Sequence, residues 1–123
     1  SARIARRAER LEVAQGFWTE AAARHEPPWA AAAMLGLGQS YLELAEELTL
    51  LKASLQAQAH VSSGSLALVI WLRDQIPNLA RKGRDALRLC ELVFTETALD
   101  DASTRSCREQ LESFPEHLLQ TDP

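Results

Sequence analysis

The sequence is poor in the residue types that build β-sheets. It contains four valines and three isoleucines, and aromatic residues make up only 6 % of the chain. Strands favour β-branched and aromatic side chains, whereas alanine and leucine, which dominate here, lose little conformational freedom in a helix. The composition therefore predicts an all-α fold and excludes a protein built mainly on sheets.

Long apolar runs are also missing. The longest runs, such as Leu66–Leu72, are far shorter than the ~20 residues that a membrane-spanning helix needs. A length of 123 residues fits a single domain. We predict one helical-bundle domain over residues 1–120 and a short tail over 121–123. Because the chain begins at Ser1 without a methionine, we expect it to be part of a larger protein.

Cysteine is scarce, and its spacing suggests no known framework. The two cysteines, Cys90 and Cys107, form no CxxC motif. Small disulfide-stabilised scaffolds use more cysteines than this. The sequence therefore predicts two reduced thiols and a cytoplasmic protein, with the nucleus as the alternative.

No motif with recognisable chemistry is present. His25, His60 and His117 fall at the ends of predicted helices, and no two have the spacing of metal ligands. The segment Gly36-Leu37-Gly38 lacks the third glycine and the preceding strand of a phosphate-binding loop. The serines that follow His60 are explained as turn and capping residues. We therefore predict no enzymatic activity, no metal site and no cofactor.

What the sequence does contain is helical periodicity. Apolar residues recur at spacings of three and four, which predicts helices over 2–24, 29–60, 66–99 and 102–112 and a final turn over 116–120. The strongest pattern is the coiled-coil-like seam of the second helix, formed by Met34, Leu37, Tyr41, Leu44, Leu48, Leu51 and Leu55. Gly36 and Gly38 interrupt this helix and predict either a close helix contact or a local break.

The helix lengths predict how the chain is arranged. The second and third helices have similar lengths and are joined by a short turn, so we expect an antiparallel hairpin with the first helix lying along it. The fold expected is an elongated antiparallel bundle of three long helices plus a short C-terminal helix. Pro77 is expected to kink the third helix or to divide it in two.

The third helix carries more apolar residues than one buried face requires. One face holds Val69, Leu72, Ile76, Ala80, Leu87, Cys90 and Phe94, and a second stripe beside it holds Leu68, Trp71, Leu79, Ala86, Leu89 and Val93. The other helices either cover the second stripe or leave it open to a partner. We predict partner binding through Trp71, Leu89, Val93 and Leu68, in a non-catalytic adaptor or scaffold module that binds a partner helix or self-associates.

Two arginine clusters support an alternative function. The predicted basic surface consists of Arg3, Arg6, Arg7 and Arg10 in the first helix and Arg81, Arg84 and Arg88 in the third. Such clusters suit a peripheral membrane or trafficking module that binds anionic lipid, although a solvated helix face with intrahelical ion pairs explains them as well. The acidic net charge of −4 argues against nucleic acid as the partner.

Overall fold

The computed structural model describes residues 2–23, 27–58, 63–97 and 102–120, with the side chains of these ranges except those of 17–19, 21–23, 27–29, 63 and 93–97. They form helices α1 (Ala2–Ala23), α2 (Pro27–Gln58), α3 (Ser63–Thr97) and α4 (Ala102–Glu112), followed by a 3₁₀ turn (Glu116–Leu119). No strand occurs in these ranges. The all-α prediction of three long helices and a short C-terminal helix is confirmed.

The hairpin of α2 and α3 forms the core of the molecule. The seam predicted for α2 is buried from Met34 to Leu48, and Leu51 and Leu55 at its end are half-buried. The predicted face of α3 is buried at Val69, Leu72, Ile76, Ala80, Leu87 and Cys90, while the side chain of Phe94 lies outside the described residues. The core therefore depends on leucine and alanine packing between two long helices, as the periodicity indicates.

Gly38 of α2 and Gly83 of α3 allow these two helices to approach closely. A Cβ atom at Gly38 would lie 2.8 Å from Cγ and Cδ2 of Leu87 and 3.1 Å from the carbonyl oxygen of Gly83. A Cβ atom at Gly36 would meet nothing within 4 Å. The close contact predicted from the glycine pair is thus made by Gly38 alone, with Gly83 as its counterpart on α3.

Pro77 does not divide α3. The helix is continuous from Ser63 to Thr97, so the prediction of two separate halves is wrong. Proline removes one helical hydrogen bond and disfavours the helix by about 3 kcal/mol. Pro77 itself is buried, and its neighbours Ile76, Leu79 and Ala80 are almost completely buried. The packing of these residues offsets the free-energy cost of a proline inside the helix.

Helix α1 lies on the outside of this hairpin. It runs antiparallel to α2, because Arg7 of α1 pairs with Glu47 and Gln15 pairs with Tyr41. Its inner residues, among them Ile4, are only half-buried, and none of the α1 side chains that the structure describes is fully buried. Helix α1 is therefore a peripheral element.

Helix α4 is joined to α3 by a disulfide bond between Cys90 and Cys107, so the prediction of reduced thiols is wrong. The two cysteines are 17 positions apart, and α4 folds back along α3 so that they lie opposite each other. The only fully buried side chains of α4 are Thr104 and Cys107. The pairing follows from this return path, which the spacing of two cysteines in a sequence does not reveal.

Candidate functional site

The stripe predicted to bind a partner is partly core and partly open. Leu79 and Ala86 in its middle are buried, so for these two residues the first of the two alternatives, coverage by the rest of the fold, is correct. Leu68, Trp71 and Leu89 are half-buried and pack against the core. The side chain of Val93, the fourth predicted contact residue, lies outside the described residues. The partner-binding role assigned to these residues stays a prediction.

The open part of the stripe lies on the flank of α3 that carries Lys82, which pairs with α1. At ~100° per residue, Trp71 and Leu89 lie within about 20° of Lys82 around the helix axis. The ammonium group of Lys82 forms an ion pair with the carboxylate of Glu12 in α1. Helix α1 therefore reaches the same flank at this ion pair, and Trp71 and Leu89 on the flank are half-buried.

A groove of 500 Å³ separates the start of α1 from α2. We call it the α1–α2 groove; it is lined by Arg3, Ile4, Arg7, Leu44, Glu47, Leu48 and Leu51. Its floor is apolar, and its charged residues include the ion pair between Arg7 Nη1 and Glu47 Oε2, which are 2.7 Å apart. Arg3 is exposed. The groove can accept an apolar side chain with an anionic group beside it.

A second groove, of 460 Å³, lies between α3, α4 and the segment that follows α4. We call it the α3–α4 groove; it is lined by Arg84, Arg88, Glu91, Arg108, Leu111, Glu112, Phe114 and Glu116. The sequence pattern did not reveal this site, because five of its eight lining residues follow Cys107. The one available signal was the helical spacing of Arg84 and Arg88, which places both guanidinium groups on one face.

The two predicted arginine clusters line different grooves. Arg3 and Arg7 line the α1–α2 groove, whereas Arg84 and Arg88 line the α3–α4 groove. The remaining arginines of the prediction, Arg6, Arg10 and Arg81, are exposed and line neither of them. The structure does not bring the clusters together in one groove, and whether either binds lipid stays a prediction.

Tyr41 occupies the junction of the three long helices. It is completely buried, and its hydroxyl group donates a hydrogen bond to Oε1 of Gln15 at 3.3 Å. Burial, together with the nearby carboxylate of Glu12, raises the pKa of Tyr41 to about 12. The phenol is therefore neutral at physiological pH and joins α1 to the hairpin.

Two further features, metal ligands and membrane-spanning helices, are considered for the part of the chain that the structure describes. Within it, no three side chains from histidine, cysteine, aspartate and glutamate are placed to hold a metal ion. His25 and His60 lie outside it. None of its helices is long and apolar enough to cross a membrane. Comparison of the chain with protein-family models, with curated proteins and with solved structures finds no match.

Proposed function

We propose that the chain is a non-catalytic protein-binding module that accepts an apolar helix face on the α1 side of its hairpin. One observation carries this proposal. Leu68, Trp71 and Leu89 of α3 stay half-exposed beside the core, and no described side chain of α1 is fully buried. A helix from a partner, or from a second copy of the chain, would complete the packing of this flank.

The chemistry of the flank also suits protein recognition. A half-buried tryptophan offers a large apolar surface without needing to be released from the core, and tryptophan is the residue type most enriched at binding hot spots. The α1–α2 groove, which α1 also borders, has an apolar floor and the exposed guanidinium group of Arg3. We therefore expect the partner helix to combine apolar residues with acidic ones.

The test replaces Trp71 and compares it with a control outside the flank. We expect Trp71→Ala to weaken association by at least ~2 kcal/mol, because it removes the central apolar contact. Leu50→Ala is the control, because Leu50 is a large apolar residue with 74 % exposure on the polar face of α2. Sedimentation velocity measures self-association, and a photo-crosslinking residue at position 71 or 50 measures partner capture.

The outcome is informative in either direction. Loss of association in Trp71→Ala but not in Leu50→Ala supports the proposal, provided that circular dichroism shows unchanged helicity. Equal effects of the two variants, or crosslinking from position 50 as efficient as from position 71, would refute it. Unfolding of Trp71→Ala would mean that this side chain is core, and Leu89→Ala then provides the second test.

Binding to anionic lipid is the second candidate function. It is supported by the exposure of Arg3, Arg6, Arg7 and Arg10 on α1, since clustered basic residues near a membrane surface are attracted to anionic headgroups. Vesicles that contain phosphatidylserine should bind the chain in a salt-sensitive manner, whereas phosphatidylcholine vesicles should not. The protein-binding proposal predicts no binding to either kind of vesicle.

The disulfide bond bears on the compartment in which the module works. Disulfide bonds persist in oxidising compartments and are rare in the cytosol. The bond between Cys90 and Cys107 therefore favours an oxidising compartment over the cytoplasmic location expected from the sequence. Alkylation of thiols in freshly lysed cells, followed by mass spectrometry, should find both cysteines protected from the reagent.

A further inference from the structure

The α1–α2 groove has an uncompensated positive charge at its edge. Arg3 is exposed and forms no ion pair with any residue that the structure describes. The other two charged residues of the lining, Arg7 and Glu47, are paired with each other. The groove therefore attracts an anionic group to Arg3.

The rest of the lining is apolar and only partly covered. Leu44 and Leu48 form the floor with 1 % and 2 % of their surfaces exposed, whereas Ile4 of α1 and Leu51 of α2 are half-buried beside them. An apolar side chain that enters the groove would remove the exposed parts of Ile4 and Leu51 from water. The volume of 500 Å³ lies within the range of ligand sites and has room for a leucine side chain.

The positive charge continues along α1 beyond the groove. At ~100° and ~1.5 Å per residue, Arg3, Arg7 and Arg10 lie within about 60° of each other and span about 10 Å along the helix. Arg10 is exposed and, like Arg3, forms no ion pair with a described residue. A small anionic amphiphile would engage one of these guanidinium groups, whereas a helix with carboxylates seven positions apart matches the spacing of Arg3 and Arg10. The charges therefore favour an extended acidic partner.

A single helix also fits the surrounding charges better than a membrane does. Glu43 lies one turn from Glu47 on the same side of α2 and is exposed without a cationic partner among the described residues. A flat anionic surface laid over the groove would meet this carboxylate, whereas a narrow helix that lies along α1 avoids it. We propose that the α1–α2 groove docks an acidic amphipathic helix of a protein partner, with a leucine in the groove and carboxylates on Arg3 and Arg10.

This docking site is distinct from the Trp71 flank and goes beyond the proposed function. Arg7 pairs with Glu47 of α2, whereas Glu12 pairs with Lys82 of α3. Arg7 and Glu12 are five positions apart in sequence, which places them about 140° apart around α1. The groove and the flank therefore lie on different sides of α1, and Trp71 does not line the groove.

The experiment uses fluorescence anisotropy at low salt to measure binding of a labelled helical peptide of about four turns, with leucines on one stripe and glutamates beside it. The matched peptide has glutamine in place of every glutamate and should bind at least about tenfold more weakly, because it loses several ion pairs. We expect Arg3→Gln to weaken binding of the glutamate peptide about fivefold. Arg81→Gln is the matched protein control and should leave binding unchanged, since Arg81 is exposed on α3 outside this groove.

Two further measurements locate the peptide on the protein. Arg3→Glu should weaken binding of the glutamate peptide and strengthen binding of a peptide with lysine in place of every glutamate. Unfolding of the variant does not produce such a reciprocal change. A photo-reactive leucine in the apolar stripe of the peptide should crosslink to Ile4 or Leu51.

Any of the following outcomes would overturn the inference. They are equal binding of the glutamate and glutamine peptides, equal losses in Arg3→Gln and Arg81→Gln, crosslinks at Trp71 or Leu89, or binding to phosphatidylserine vesicles without binding to the peptide. Crosslinks at Trp71 would at the same time support the proposed function. A failure of Trp71→Ala to weaken association would count against the proposed function and leave the docking site in this groove unaffected.

Discussion

Tyr41 is the only tyrosine of the chain, which makes its ionisation directly measurable. Absorbance at the tyrosinate band should give a midpoint near pH 12 in the folded protein and near 10 in urea, where the phenol is hydrated. Glu12→Gln should lower the folded midpoint, because it removes the nearby negative charge. A folded midpoint near 10 would show that the phenol is not buried at the helix junction.

The same shift has a consequence for stability. The folded state holds the phenolic proton more tightly than the unfolded state, so the unfolded state loses protons first as the pH rises above about 10. The free energy of unfolding should therefore fall as the pH rises from about 10 to about 12. Below that range the ionisation of this group should cause no change with pH. Tyr41→Phe should remove this component of the pH dependence in urea unfolding, while the contribution of lysine ionisation remains.

Gly38 and Gly36 provide a matched pair of residues on one helix. Gly38→Ala should destabilise the protein by about 1–3 kcal/mol, because its Cβ atom would lie 2.8 Å from the buried Leu87. Gly36→Ala should stabilise it by up to ~1 kcal/mol, because alanine is the better helix former and the site is open. Urea unfolding measures both. Effects of the same sign would contradict the close approach of α2 and α3 at Gly38.

Leu48 tests the seam of α2. It has 2 % of its surface exposed and belongs to the core cluster. Leu48→Ala should reduce the free energy of unfolding by about 2–5 kcal/mol, the range for a buried leucine that leaves a cavity. Leu50→Ala, at a site with 74 % exposure, serves as the control and should change it little. A loss below about 0.5 kcal/mol for Leu48→Ala would mean that the seam faces solvent.

At the scale of elements, α4 is the helix whose position depends most on a covalent bond. The disulfide bond closes a loop between positions 17 apart, and a loop of this size contributes about 3 kcal/mol in the chain-entropy model. We expect reduction, or the pair Cys90→Ala and Cys107→Ala, to lower the free energy of unfolding by about that amount. Urea unfolding with and without reductant provides the measurement.

The core hairpin provides the internal control for this experiment. Helices α2 and α3 pack on each other through residues that the bond does not join, so circular dichroism should still show a largely helical protein after reduction. Identical unfolding curves with and without reductant would show that the two sulfur atoms are not bonded in solution. Loss of all helicity would show that the hairpin is not an independent unit.

For the whole molecule, the sequence was sufficient to predict the class and the order of the helices. Scarce β-branched residues predicted an all-α fold, and the seam from Met34 to Leu48 predicted the buried face of α2. These properties depend on neighbours within two or three helical turns, and local periodicity carries that information. Helices α2 and α3 begin at Pro27 and Ser63, two and three residues before the predicted starts. The first turn of a helix tolerates proline and serine.

The tertiary structure alone decided which surfaces remain open and which distant residues meet. The stripe of α3 looked uniform in sequence, yet Leu79 became core while Trp71 stayed half-exposed. The pairing of Cys90 with Cys107 and the groove beside Arg84 depend on the path of α4 along α3. Periodicity assigns a residue to a face of its own helix but does not specify which other helix covers that face. That choice depends on contacts between segments far apart in the chain, and only the folded structure contains them.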